Sequence, residues 1–542
     1  MVRITIISCV VIILSGCFKP LEDDGKNIFY YNESAGITSL DPAQCRDLEN
    51  MWAVNQLFDG LVELDSAMQV KPLIARSWDI VEGGTTYVFH LRNDVLFHDN
   101  EVFEGSKGRR VVAADFVYSF NRIVDASVAS PGKWVFAQVD FDTNTGFEAP
   151  NDSTFIVHLK QPFPPFLGML TMQYCVVLPH EAIDYFGADF RANPVGCGPF
   201  KFAFWYENVA LVYHRNAAFW QRDESGKSLP YLDAVKIDFV KDMSTEYLGL
   251  LKGDYDFMSG IHPAYKDELL DPFGQLSATY SDRLKFQKTP FIKTDYLGIL
   301  VDDSLQLSTQ HPLHDKRLRQ ALNMAIDRKE MVRYMRNNAV YPAGHGFIPR
   351  GLPSHNESAS YGYQYDPERA RALLAEAGFP EGMGLPVIGL STTSDYVDLC
   401  EYIQHQLGEI GIKIQVDVLP SSAQREAISK SQVMLFRKSW LADYADAENF
   451  LGLFYSGNFC PDGPNYTHYS NPEFDSLFVE ARATFDDVER WKMYESMDSL
   501  VMADAPIIPL FYDQVSHFVR RDVHGLQTNP VNMLELKYVW KD

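Results

Sequence analysis

The chain is poor in the features that mark many functional classes. Its 542 residues hold only seven cysteines and no CxxC pair, which argues against a structural zinc site and a thioredoxin-type redox centre. No apolar run reaches the roughly 20 residues that span a bilayer as a helix. Positive charge is in deficit: 48 Lys and Arg stand against 72 Asp and Glu, a net charge of −24. Such a field repels phosphate backbones and anionic headgroups, so nucleic-acid binding is not expected. The sequence lacks GxSxG, GxxxxGK[ST] and HExxH, and His180-Glu181 has no second His to complete a zinc motif. No 20–50-residue repeat is visible, which excludes solenoids and propellers. Present instead are 46% hydrophobic and 22% charged residues, a globular balance that rules out wholesale disorder. The length predicts three to four compact units or one large two-lobed body.

The first residues read as an address. Arg3 precedes an apolar run from Ile4 to Leu14, the length of a signal-peptide core. It ends Leu14-Ser15-Gly16-Cys17, which resembles the bacterial lipobox, cut before a Cys that receives lipid. The expectation is a signal peptide over 1–16, lipidation at Cys17, and a tether over 17–25. With Cys9 and Cys17 removed from the count, five cysteines remain, an odd number, so one thiol at least stays free. The modest separation of Cys175 and Cys197 is the only hint of a pair.

Alternation over Tyr87–Leu91 and Phe155–Leu159 predicts half-buried strands, with a helix between them carrying Ala113, Phe116, Val117, Phe120 and Val124. In the second half, Asp366-Pro367-Glu368 opens a helix that Gly378 closes. Asp327–Glu330 reads as a capping box, and Asn471-Pro472 starts another helix. Tyr396 to Ile410 at helical spacing, Gly411, then alternating Ile412, Ile414, Val416 and Val418 give helix followed directly by strand, the pattern of layered α/β sheets. Gly196-Cys197-Gly198-Pro199 lacks the rest of a dinucleotide fingerprint and reads as a turn; Pro312 between His311 and His314 argues against a metal-binding helix pair.

Six blocks, in order, resemble the oligopeptide/dipeptide/nickel-binding lipoproteins of bacterial ABC importers, family 5 of the extracellular solute-binding proteins. They are Ser39-Leu40-Asp41-Pro42; 91–99, similar to "LRxxVxFHDG", together with 113–119; 196–200, similar to "GTGPF"; Arg215-Asn216 with Phe219-Trp220; 319–328; and 439–446. Asn100, Cys197 and Ala447 depart from the usual Gly, Thr and Pro, and 104–110 looks like an insertion. The resemblance implies a two-lobed α/β periplasmic-binding-protein fold, type II, with a cleft between lobes and an inserted subdomain. By analogy lobe I takes 26–63, 189–289 and 509–542, the insert 64–188, and lobe II 290–508.

The resemblance also implies a non-enzymatic, lipid-anchored receptor in the cell envelope, monomeric, without cofactor or resident metal. Its partners would be short peptides and the permease and ATPase subunits of an importer. In peptide-binding members the Asp of the "W-x-A-D-Y" block holds the ligand's α-amino group; here that is Asp443. Ligand backbone would pair with Arg46-Asp47-Leu48 and with Trp440-Leu441. Arg437 aligns with a basic residue that meets the ligand carboxylate in some members, though it equally suits a strand-edge arginine in solvent. Trp440 suits a cleft wall or a core aromatic. A nickel chelate, heme or an oligosaccharide remain alternative ligands on the same fold; an exported hydrolase, or a surface adhesin or sensor, remain alternative classes.

Overall fold

Two long strands organise the molecule. In the computed structural model, which describes residues 26–542 except 303, 306 and 308–310, Leu284–Ile299 and Ile507–Arg520 run antiparallel. The expected signal peptide over 1–16, the expected lipidation at Cys17 and the expected tether over 17–25 lie outside the described residues. The second strand is buried along almost its whole length, as expected of a strand covered on both faces. Pairing runs from Leu284↔Arg520 to Pro290↔Gln514, breaks, and resumes from Thr294↔Tyr512 to Gly298↔Ile507. Pro290 supplies no N–H at the edge of the break.

The two strands change neighbours across that break. On one side, Ile507–Arg520 pairs with Phe257–Ser259, which leads through Ile28–Asn32, Ala234–Asp238 and Ala210–Arg215 to Phe200–Tyr206. On the other, Leu284–Ile299 pairs through residues 293–299 with Leu435–Leu441, followed by Ile388–Thr392 and Ile414–Val418. One mixed sheet is thus shared by two separately packed bodies, the two-lobed α/β architecture. Helix Val397–Gly408 leads through Gly411, at φ 88°, into Ile414–Val418, which lies parallel to Ile388–Thr392.

A separate four-stranded sheet carries the predicted pair, with Tyr87 opposite Val157 and Phe89 opposite Phe155. Helix Ala113–Val124 packs Phe116 and Phe120 onto Phe155, Phe136 and Phe147. This aromatic unit is continuous with the core around Phe29, Tyr31 and Trp52.

Three of the blocks that resemble the family turn out to make two clasps. His98 is buried; its Nδ1 accepts from the Gly196 N–H at 3.3 Å and its Nε2 donates to the Gly198 carbonyl at 3.0 Å. Burial pushes this imidazole down to about 4, so it stays neutral and keeps one donor and one acceptor. A Cβ on Gly196 would run into the Leu57 carbonyl, and one on Gly198 into the backbone of Leu57 and Phe58, so both glycines serve close approach. The block over 319–328 grips the start of the second long strand. Arg319 donates to the carbonyls of Leu313, His314, Asp504 and Ala505, Asn323 to that of Ile507, and Arg328 to that of Pro509.

Helix starts follow the sequence with one difference. Asp366 accepts from the Arg369 N–H and Asn471 from Glu473 and Phe474. Asp327 caps Lys329 and Glu330, but the box is not closed by Glu330. The Asp327 N–H goes to Gln406 Oε1, and the Glu330 carboxylate accepts from Tyr402 instead. Tertiary partners thus replace the local return bond. His311 accepts from the Leu313 N–H, a local turn bond. Cys175 and Cys197 are both buried free thiols, so the hinted pair is not formed.

Candidate functional site

Strand Leu435–Leu441 has one occupied edge and one open one. Its occupied edge pairs continuously with residues 293–299, from Ile299↔Leu435 to Lys293↔Leu441. Its other edge meets Ile388–Thr392 only at Leu435 and Phe436. The Arg437 carbonyl is taken by the Gln424 side chain. From Lys438 to Leu441 no strand among the described residues covers that edge, so its backbone can accept an extended segment.

The edge ends at Asp443. Asn449, on the short helix Glu448–Leu451, donates from Nδ2 to Asp443 Oδ2 at 3.1 Å. Its Oδ1 accepts both the Asp443 N–H and the Trp440 indole N–H, at 3.2 and 2.8 Å. Trp440 is half-buried and packs against the core of Phe347, Phe450 and Phe454, so it serves the lobe as much as the cleft. Leu441 is 43% exposed. Asp443 keeps access to solvent, yet surrounding protein strips enough hydration to push its carboxyl up from its ordinary value, against the Asn449 bond. No lysine, arginine or histidine among the described residues pairs with it.

The opposite wall comes from the N-terminal half. Burial pushes the Tyr174 phenol up, and the charges of Cys45, Asp443 and Asp47 act the same way while Arg46 opposes. Tyr174 thus lies within electrostatic reach of both Asp443 and the 45–47 segment. Trp134 and Tyr444 meet nearby, with ring centroids 6.2 Å apart. Arg46 and Asp47 are exposed, and Asp47 has extended backbone; Leu48 is half-buried and already begins helix Leu48–Asn55. Leu48 also lines a cavity of about 340 Å³ with Glu33, Glu49, Trp52, Glu246 and Tyr265. There burial, then Glu49, then Glu246 push the Glu33 carboxyl up to about 8, although the Ala35 N–H opposes them.

Arg437 lies elsewhere in character. It is buried, ion-paired with Asp295 of the long strand, and its guanidinium sits 3.1 Å from the Tyr396 ring centroid. Burial pushes it down to about 9. Its charge is already matched inside the protein.

The sequence did not single out the next residue, Lys438. Strand alternation puts it on the face opposite Arg437. It is half-buried, with Nζ 4.3 Å from the Tyr466 ring centroid, and forms no ion pair among the described residues. Burial, then Arg425 and Arg437, push its ammonium down to about 8. Lys438 and Asp443 thus leave one positive and one negative charge uncompensated along the same open edge. The only sequence signal for Lys438 is its place beside Arg437 in a strand-like run. Among the described residues no group of three or more His, Cys, Asp or Glu could hold a metal ion.

A sequence model of bacterial extracellular solute-binding proteins, family 5 Middle, matches residues 69–459. The glutathione-binding protein GsiB of Escherichia coli O1:K1 / APEC is 26% identical over 503 residues, covering 92% of this chain and 91% of GsiB. The periplasmic binding protein DppA of Helicobacter pylori, solved with the peptide STSA, superposes with a TM-score of 0.74 at 24% identity, covering 95% of this chain and 98% of that one. HbpA2 of Haemophilus parasuis gives a TM-score of 0.79 at 23% identity, covering 95% and 99%.

Proposed function

The chain belongs to the bacterial extracellular solute-binding proteins of family 5, and from that premise we propose that it captures short peptides in its interlobe cleft and delivers them to an ABC permease. It is a solute-binding protein, not an enzyme. The single observation that carries the peptide reading is Asp443, an uncompensated carboxylate at the end of an open strand edge. The edge offers main-chain bonds that any extended peptide can use, and Asp443 offers an anchor for its α-ammonium. Stripping water from that ammonium is costly unless a carboxylate replaces it, and a matched charge-assisted bond is worth about 1.5–3 kcal/mol net. Lys438 places a positive charge for an anionic group of the same ligand. The peptide-bound DppA and the glutathione-binding GsiB support the same ligand class.

In this reading the lobes are divided as the family analogy divides them: 26–63, 189–289 and 509–542 against 290–508, with 64–188 inserted. The break in pairing at Pro290–Thr294 is where they would flex, and closure would bring Tyr174 and Asp47 onto the ligand held at Asp443. Lipid at Cys17 would keep the receptor at the membrane face. Among the described residues no helix is long and apolar enough to cross a membrane. Titration calorimetry with mixed di- to pentapeptides tests the proposal. Heat with free-amine peptides is expected; no heat with any peptide, and an unshifted melting temperature, would overturn it.

A further inference from the structure

Five cysteines lie among the described residues, and all are free thiols. Cys45, Cys175, Cys197 and Cys400 are buried, and burial pushes each of these thiols up. Cys460 has other neighbours. Its Sγ lies 3.2 Å from Nε2 of His468 and 3.4 Å from Oγ of Ser431. The second ring nitrogen of His468, Nδ1, lies 3.0 Å from Oδ2 of Asp302. Asp302 is oriented in turn by the Ser304 N–H and hydroxyl, at 2.8 and 2.6 Å. The ring of Phe459 lies flat on that of His468, with centroids 4.6 Å apart and planes 3° from parallel.

The chemistry comes from the acceptors. A carboxylate at Nδ1 draws the ring proton there, which leaves the Nε2 lone pair to accept from the thiol or from the Ser431 hydroxyl, 3.1 Å away. Once the thiol proton moves to Nε2, the new N–H has the sulfur and the Cys460 carbonyl, at 3.2 Å, as acceptors. The Ser431 hydroxyl can then turn to donate to the sulfur. Both protonation states are hydrogen-bonded, and no other cysteine among the described residues has an imidazole as its partner.

We propose that Cys460 is a thiol-modification site, served by His468 and Asp302, that takes small sulfur electrophiles such as low-molecular-weight disulfides. His468 Nε2 accepts the Sγ proton as the sulfur attacks one sulfur of the disulfide. The new S–S bond forms as the old one breaks, and the departing thiolate takes the proton back from Nε2. The disulfide itself is the oxidant. Extracytoplasmic surroundings permit such species to persist. Cys460 is 4% exposed, so the site admits only small reagents, past the exposed Pro461, Asp462 and Gln432. It backs onto the cleft wall: after burial, the charges of Cys460 and Asp443 both push the Tyr466 phenol up.

The test is limited exposure of the full native chain to methyl methanethiosulfonate, followed by digestion and mass mapping. Cys460 is expected to gain its methylthio group about tenfold or more faster than Cys45, Cys175, Cys197 or Cys400. His468→Gln should slow the reaction at Cys460 about tenfold, and Asp302→Asn should slow it less. A merely structural role predicts the opposite sign, because loosening the pocket exposes the thiol and speeds its reaction. A native Cys460 no faster than the other four overturns the proposal, as does a His468→Gln chain that reacts as fast or faster.

Discussion

Asn449 grips Asp443 twice, donating to its carboxylate at 3.1 Å and accepting from its N–H at 3.2 Å. Because the same Oδ1 also takes the Trp440 indole, the end of the open strand, the tryptophan and the acid form one preorganised unit. The carboxylate that results is positioned but unneutralised.

Replacing it should therefore be felt by the ligand more than by the fold. Asp443→Asn keeps the size of the side chain and removes the charge. Leaving a ligand ammonium without its partner costs roughly 3–5 kcal/mol, a loss of about a hundredfold or more in affinity. N-acetylated peptides, which carry no such charge, should lose little. Calorimetry on matched free and acetylated peptides separates the two; equal losses would show that Asp443 is not the amine anchor.

The His98 clasp makes a stability prediction. A Cβ at residue 198 would lie 2.6 Å from the Leu57 carbonyl carbon and 2.7 Å from the Phe58 nitrogen, both backbone atoms that cannot swing aside. Gly198→Ala should cost about 3 kcal/mol, the upper part of the range for overpacking. Gly408→Ala, at a helix position with open space around the new methyl, should instead gain about 0.5–1 kcal/mol. Denaturant titrations of both variants check the contrast, which disappears if the two shifts share a sign.

Glu33 carries a pH signature. Its carboxyl is held at about 8 against an ordinary 4.5, so between these values the folded chain binds a proton that the unfolded chain has released. Stability at this site is thus fully present below about 4.5 and falls as pH rises towards 8. Glu33→Gln removes the titration. Relative to wild type it should gain about 1–2 kcal/mol on going from pH 5 to pH 8, a figure discounted for partial solvent screening. Melting curves at both pH values measure it; an identical offset at each would contradict the burial argument.

Cys17→Ser tests the anchor. The variant should leave the membrane pellet for the soluble fraction while keeping peptide affinity. Continued pelleting would show that some other contact holds the protein there.

Much of this molecule was readable from its sequence because the signals are local. Alternation over residues 87–91 and 155–159 specified paired strands, since the pleat sends every second side chain to one face. Asp366, Asp327 and Asn471 marked helix starts because a capping oxygen bonds amides two or three residues on. The ordered blocks identified the family. Glu330 shows the limit: its return bond was as local as the others, yet Tyr402 offered a better partner.

What the sequence determined by itself was therefore the kind of protein: its elements, its two-lobed class and the block that contains Asp443. Only the tertiary structure decided which charges are spent and which are free. Arg437 and Lys438 are neighbours of the same sign, but alternation turns one onto Asp295 and leaves the other over Tyr466 without a carboxylate. Cys460 looked like four other thiols until folding brought it to His468 and Asp302. Compensation of a charge or a proton depends on distance through space, and chain order does not encode that distance until the strands have paired.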